Sequence, residues 1–275
     1  MRDHKGLNEI ARNIRKDIVS MIHESKSGHP GGSLSAVEIL TALYFDEMNV
    51  DANNCKMEDR DRFVLSKGHA APVLYSTLVQ KGFFDKTELS KLRKTGSLLQ
   101  GHPDMKNIPG IDMSTGSLGQ GFSVACGMAM ASKLDNAPWR VYTLLGDGEV
   151  QEGIVWEAAM SAAHYNLDNV VAFLDYNGLQ IDGDVSKVMN IGPIVDKFKA
   201  FGWNVIEIDG HDFDQIFAAL DMAKETVGKP TMIVAKTVKG KGISFMENEA
   251  GWHGTAPSDS DLEKALEELG GADNE

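Results

Sequence analysis

The sequence predicts a doubly wound α/β fold, a mostly parallel sheet with helices on both faces. Three observations point to it. Five short apolar runs have strand length: Arg62–Ser66, Val141–Leu145, Val170–Asp175, Val205–Ile208 and Met232–Ala235. These runs are continuously apolar, as strands covered on both faces are. Helical patterns separate them, at Ala70–Gln80, Gly119–Leu134, Gly153–Tyr165, Pro193–Phe201 and Phe213–Thr226.

Each element has a local reason. Ile10, Ile14, Ile18, Met21 and Ile22 recur at helical spacing, and that first helix must stop near Ser27 because Gly28-His29-Pro30-Gly31-Gly32 cannot continue it. A second helix is expected to restart at Ser35, with Glu38 closing a capping box. The segment Lys239–Gly254, "KGKGISFMENEAGWHG", follows the last strand and is long for a loop without structure, so it reads as a lid or as disorder. A solvated helix over Asp261–Leu269 ends the pattern. No repeat, low-complexity linker or composition break divides the chain, which reads as one domain over residues 1–275 with an acidic helix and tail from about 258.

Composition narrows the function classes. The 275 residues are 42% hydrophobic and 24% charged, with a net charge of −13, which argues against nucleic acid as the main partner. No apolar run is long enough to span a bilayer, and the N-terminus lacks the apolar block of a signal peptide. Cys55 and Cys126 fit no metal-ligand spacing and read as reduced thiols of a cytoplasmic protein; a disulfide is the alternative. The acids after Asp259 read as a solvated face, with an acidic docking tail as the alternative.

In a parallel sheet, ligands bind beyond the carboxyl ends of the strands, so polar residues there carry the chemistry. One strand delivers Gly146-Asp147-Gly148, and the next delivers Asn177-Gly178-Leu179. A carboxylate, an amide oxygen and a loop carbonyl are hard ligands suited to Mg²⁺ or Ca²⁺, with phosphate oxygens completing the shell. Taken singly, Asp147 would be a turn residue and Asn177 an Asx turn. Together, at adjacent strand mouths, they read as a metal–phosphate site. His29, His69, His102 and His253 lie beside glycines in the loops "SGHPGG", "SKGHAA", "QGHPD" and "GWHGT", where imidazoles can reach a ligand and titrate near neutrality. His211 in "DGHDFDQ" reads as helix-cap chemistry, and His4, His23 and His164 as structural or exposed. "STGSLGQG", Ser114–Gly121, opens a small-residue helix and suits backbone contact with a ligand, but it is neither a dinucleotide fingerprint nor a P-loop.

With these residues assembled, the chain resembles the N-terminal, thiamine diphosphate-binding half of transketolase. "GDG" followed by Asn177 is similar to the signature shared by many thiamine diphosphate enzymes. "SGHPGG", "LSKGHA", "GHPD", "TGSLGQG", "GDGEVQEG" and "WHG", in this order, narrow the resemblance to the transketolase branch. It covers roughly Leu7 to Gly254. It implies that Asp147, Asn177 and the Leu179 carbonyl hold Mg²⁺ (or Ca²⁺ or Mn²⁺) against the cofactor diphosphate. It implies cofactor contacts from His69, Gly116, Ser117, Leu118, Gly146, Gly148, Glu152, Asn177, Ile181 and His253, with Glu152 also at the interface with a neighbouring domain. His29, His69, His102 and His253 would act on sugar oxygens along the substrate channel. The implied reaction moves a two-carbon ketol unit from a ketose phosphate to an aldose phosphate, as in the pentose phosphate pathway. Where the family often has Pro, this chain has Ser117. The larger departure is length: a single-chain transketolase continues into a pyrimidine-binding domain, with its activating glutamate, and a C-terminal domain. The resemblance therefore implies the N-terminal subunit of a split enzyme, paired with a C-terminal subunit in an α2β2 heterotetramer. Rival readings are a split enzyme of this branch acting on a modified or sulfonated ketose, a non-catalytic diphosphate-binding subunit, and a dinucleotide-dependent dehydrogenase.

Overall fold

A computed structural model describes residues 3–270. The first helix, α1 (His4–Ser25), starts on the Asp3 side chain, which accepts the Gly6 amide, and ends with Lys26 in the left-handed region. The short helices α2 (Pro30–Leu34) and α3 (Val37–Ala42) follow. Next come β1 (Arg62–Leu65), α4 (Ala71–Lys81), α5 (Gln120–Leu134), β2 (Val141–Gly146), α6 (Gly153–His164) and β3 (Val170–Tyr176). A two-stranded hairpin, β4 (Leu179–Gln180) with β5 (Gly183–Asp184), leads into α7 (Val185–Val188) and α8 (Ile194–Ala200). The chain continues through β6 (Asn204–Asp209), α9 (Phe213–Glu225), β7 (Thr231–Lys236) and α10 (Asp259–Glu268).

The five main strands form one sheet in the order β1-β2-β3-β7-β6, every pair parallel. Successive side chains of a strand point to opposite faces, and both faces are apolar. Phe63, Leu65, Leu144, Phe173 and Ile233 pack against α1, α3, α4 and α9. Val64, Leu145, Ala172, Leu174 and Val234 pack against α5, α6 and α8. This two-sided burial is why the strands read as continuous apolar runs. The doubly wound fold is as expected, with the long strands and helices starting and ending within a residue or two of the sequence-based bounds.

Three local expectations are corrected. Ser35 and Glu38 form no capping box: α3 begins at Val37 behind Ala36, without a side-chain cap. Their side chains are instead spent on tertiary bonds, Ser35 Oγ donating to Asp175 at 2.6 Å and Glu38 accepting from Arg15 at 2.6 Å. The 239–254 segment is neither lid nor disorder. It is a strap of turns with Ile243 and Met246 fully buried in the core, closed by a short 3-10 turn at Ala250–His253. The terminal helix starts at Asp259 rather than Asp261, because Ser258 makes the capping box with Asp261. It docks on the body of the protein through Ala265 and Leu269 while its acids face outward. The rest of the acidic tail, 271–275, lies outside the described residues.

Candidate active site

The loops after β1, β2, β3 and β7 meet the α1–α2 connection and the 114–120 loop around one cavity of about 340 Å³. The loops approach closely. A Cβ on Gly68 would sit 2.6 Å from Thr115 Oγ1 and 2.8 Å from the Gly116 nitrogen, so glycine lets the two loops touch. Gly119, at φ +80°, turns the chain into α5, and a Cβ there would sit 2.4 Å from Ile154. Buried Glu149 ties these loops together: its carboxylate accepts the Gly119 amide at 2.8 Å, the Gly146 amide at 3.0 Å and the Ser66 hydroxyl.

At the mouth of β2, Asp147 is 2% exposed. One carboxylate oxygen accepts the Gly148 amide at 2.8 Å and the other the Gly178 amide at 2.5 Å. Burial, and the negative charge of Asp175, nonetheless push its pKa up to about 7. Asp175 itself, fully buried, is held ionised. Burial alone would raise its pKa, but the Lys67 ammonium and hydroxyl donors from Ser35 and Thr237 bring it below the usual value. Lys67, also 2% exposed, donates to the Gly32 carbonyl at 2.7 Å as well. Asn177 closes an Asx turn, its Oδ1 accepting the Leu179 amide at 3.1 Å, and its Nδ2 donates to Asp175 at 3.2 Å. The Leu179 carbonyl accepts Lys239 Nζ at 3.2 Å, and Lys239 also donates to His253 Nδ1 at 2.9 Å. Burial lowers Lys239 to about 8, against the pull of Asp147 and Asp175.

The sequence missed Lys67, Glu149, Asp175 and Lys239. Lys67 and Lys239 lie within three residues of a strand end, the one available signal. What makes them site residues is burial with a partner distant in sequence.

Three of the four loop histidines form a triangle. The His29 and His69 ring centroids are 5.2 Å apart, His69 and His253 5.2 Å, and His29 and His253 5.4 Å. Burial, with the Lys67 charge beside it, lowers His69 to about 2. Burial and then Lys239 lower His253 to about 3, and burial and then Arg93 lower His29 to about 4. All three are therefore neutral at neutral pH, each with one donor and one acceptor nitrogen. His102 stands apart from the triangle and outside the cavity lining, its ring 3.2 Å from where a Gly116 Cβ would lie. Gly116, Leu118, Gly146, Gly148, Glu152, Asn177, Leu179 and Ile181 line the cavity, and Ser117 does not. His211 caps no helix: Asp212 caps α9, and the imidazole is bonded to Glu38 and Val238. Cys55 and Cys126 are unbridged.

The donor set fits a hard dication. Asp147, Asn177 and Leu179 all line the cavity, and a carboxyl raised to about 7 by burial and by the charge of Asp175 is an acid that a further cation would stabilise. Among the described residues there is no group of three His, Cys, Asp or Glu side chains that could hold a metal. With one charged ligand, a dication here would need further oxygens, of the kind a diphosphate offers.

These shifts set a pH dependence. The three imidazoles have folded pKa values below the ordinary value of 6.5, so the unfolded chain takes up their protons first and stability falls as pH drops below about 6.5. Asp147 works the other way, because its folded pKa exceeds its unfolded one, so its contribution falls as pH rises from about 4 to 7. Three groups outweigh one. The Tm of the chain without ligand should fall between pH 6.5 and 5, before ordinary carboxylates titrate, and this slope should shrink in His69→Gln. A flat Tm over that interval would show freely titrating imidazoles.

A family model described as the thiamine diphosphate binding domain of transketolase matches residues 7–275. The chain belongs to the transketolase family. It is 47% identical over 96% of its length, and 96% of the relative's, to the 6-deoxy-6-sulfo-D-fructose transketolase subunit SqwG of a Clostridium species. It is 45% identical to one subunit of the apulose-4-phosphate transketolase of Phocaeicola vulgatus, covering 93% of this chain and 90% of that one. Among solved structures, the transketolase of Campylobacter jejuni superposes with a TM-score of 0.93 at 35% identity, covering 99% of this chain and 44% of that one. The chain thus spans less than half the length of that transketolase. Its fold is that of the family, and no helix among the described residues is long and apolar enough to cross a membrane.

Proposed function

We propose that this chain is the thiamine diphosphate-binding subunit of a two-chain transketolase, which moves a two-carbon ketol unit from a ketose to an aldose phosphate. The observation that carries the proposal is the meeting, in one cavity, of three hard oxygen donors with three neutral imidazoles. The family match and the two relatives of similar length named as subunits support it.

Asp147, Asn177 Oδ1 and the Leu179 carbonyl would hold Mg²⁺, and the metal would hold the diphosphate. Lys67 and Lys239 add positive charge behind this end, and their burial keeps that field unscreened. The Gly116 and Gly148 backbones, without Cβ atoms, allow close approach along the cavity wall. When bound, thiamine diphosphate supplies the nucleophilic carbon and the electron sink for cleaving and forming the carbon–carbon bond. The protein's part is to orient the sugar and move its hydroxyl protons. His253 accepts from Lys239 at Nδ1, so its proton sits on Nε2. Neutral imidazoles in a triangle can donate to one sugar oxygen and accept from another without adding charge, which suits proton transfer at carbonyl and hydroxyl oxygens. Glu152 and Ile181, at the mouth, would face the rest of the cofactor. Pure diphosphate binding would not need His29, so the triangle favours catalysis over a binding role.

The donor ketose could carry an unusual far end, since the relative at 47% identity is named for a sulfonated sugar. The cavity here would take the diphosphate beside the histidines, and groups reading the far end of the sugar would lie on the partner subunit. We place the enzyme in the cytoplasm with its partner in an α2β2 assembly. The test is a ketol-transfer assay of the assembled enzyme with phosphorylated and sulfonated ketoses. His29→Ala should lower kcat and kcat/KM together, by about tenfold or more, with Tm nearly unchanged. A variant that unfolds readily yet turns over normally per folded molecule would show the histidine to be structural.

A further inference from the structure

His211, outside the cavity lining, sits in a largely buried chain of polar bonds that ends on the strap carrying Lys239 and His253. His211 Nε2 accepts the Val238 amide at 2.9 Å, which fixes the proton on Nδ1, and Nδ1 donates to Glu38 Oε2 at 2.9 Å. The other Glu38 oxygen accepts Arg15 Nη2 at 2.6 Å, and Arg15 Nε donates to the Lys241 carbonyl at 2.9 Å. The chain of contacts leaves the strap at residue 238 and returns to it at residue 241, one residue before and two after Lys239. Gly242, at φ +94°, makes room for it, since a Cβ there would lie 2.8 Å from Arg15 Nε. Glu38 is 7% exposed and stays ionised: burial would raise its pKa, but Arg15 and His211 hold it below the ordinary value. A buried charged group with all its partners in place is rigid, and breaking one link leaves the rest unsatisfied.

We propose that the Arg15–Glu38–His211 chain is a positioning device that sets Lys239, and through it His253, against the diphosphate end of the cavity. It touches neither substrate nor cofactor. Its action is to fix the backbone on both sides of Lys239, so that the ammonium reaches the Leu179 carbonyl and His253 together. The inference rests on the function proposed above.

The two nitrogens of His211 can be separated by substitution. His211→Asn keeps a donor where Nδ1 meets Glu38 but cannot reach Val238. His211→Gln places an oxygen where Nε2 accepted the Val238 amide. Asp212→Ala is the structural comparator, because it removes the cap of α9 in the same loop without touching the strap. The measurement is the Kd for thiamine diphosphate with Mg²⁺ in the assembled enzyme, from tryptophan fluorescence, beside Tm. The expected result is a Kd weakened about tenfold or more in His211→Asn, the range for residues that orient a binding group. His211→Gln, which restores the acceptor for Val238 but loses the donor to Glu38, should give a Kd between those of His211→Asn and the wild type, and Asp212→Ala should lower Tm with Kd unchanged. Equal Kd values in His211→Asn and wild type, or equal weakening in His211→Asn and Asp212→Ala, would overturn the positioning role. A wild-type enzyme that binds no thiamine diphosphate overturns the functional reading, and this inference with it.

Discussion

Asp147→Ala should weaken Mg²⁺-dependent thiamine diphosphate binding by more than about a hundredfold, because outer-shell partners of a bound metal already cost about 10–100-fold and Asp147 is the one charged ligand in the set. The same carboxylate is costly to the protein without ligand. It is buried beside Asp175 and raised to about 7, so above that pH the fold carries a second, incompletely compensated negative charge. Two consequences separate this residue from an ordinary turn aspartate. Binding should be lost while the chain remains folded, and the Tm of the variant should gain on the wild type as pH rises from 5 to 8. Titration calorimetry of the assembled enzyme measures the first, and thermal unfolding in matched buffers measures the second. Unchanged affinity in Asp147→Ala would remove the metal from this site. A constant Tm difference across pH would show that Asp147 is not the strained acid described here.

The parts legible in the sequence are those fixed by local pattern. Val170–Asp175 could be placed because the run from Val170 to Leu174 is unbroken by polar residues, as a strand between two helical layers is. Asp147 and Asn177 could be singled out because a parallel sheet directs its strand ends to one rim. What stayed hidden depends on long-range partners. Glu38 looks like a capping-box residue by spacing, yet a carboxylate that reaches Arg15 and His211 gains more from burial with two donors than from capping a six-residue helix. His211 looked like a cap for the same reason, and Asp212, one residue on, is the better acceptor for the first amides of α9. The strap looked unstructured because its order comes from Ile243 and Met246 entering the core, a pattern without period. His102 shares its glycine context with the other three loop histidines, yet it does not line the cavity, and its ring lies against Gly116, which does.

The 275-residue chain alone should show no ketol transfer, and activity should appear when its partner subunit is added with Mg²⁺ and thiamine diphosphate. The described cavity would take one end of the cofactor. Its buried acids are already committed: Asp175 to Lys67, Glu149 to three loops, and Asp147 to two glycine amides. The proposed chemistry also needs a shielded carboxylate at the aminopyrimidine end of the cofactor, and the other two acids of the lining, Glu152 and Asp182, are exposed. About 340 Å³ is at the small end for enclosing a ligand of this size, for which cavities run from about 300 to 1,000 Å³. Around the mouth, Ile181 is 69% exposed and Met189 61%, an apolar rim suited to a second surface. If the cofactor bridges two chains, each buries part of it, and assembly must strengthen with cofactor concentration. Sedimentation of the mixed subunits should therefore show tighter association with thiamine diphosphate and Mg²⁺ than without, and Ile181→Asp should weaken it while leaving the fold of the isolated chain intact. Robust ketol transfer by the rigorously purified single chain, or association indifferent to the cofactor, would mean that the site is complete within this chain.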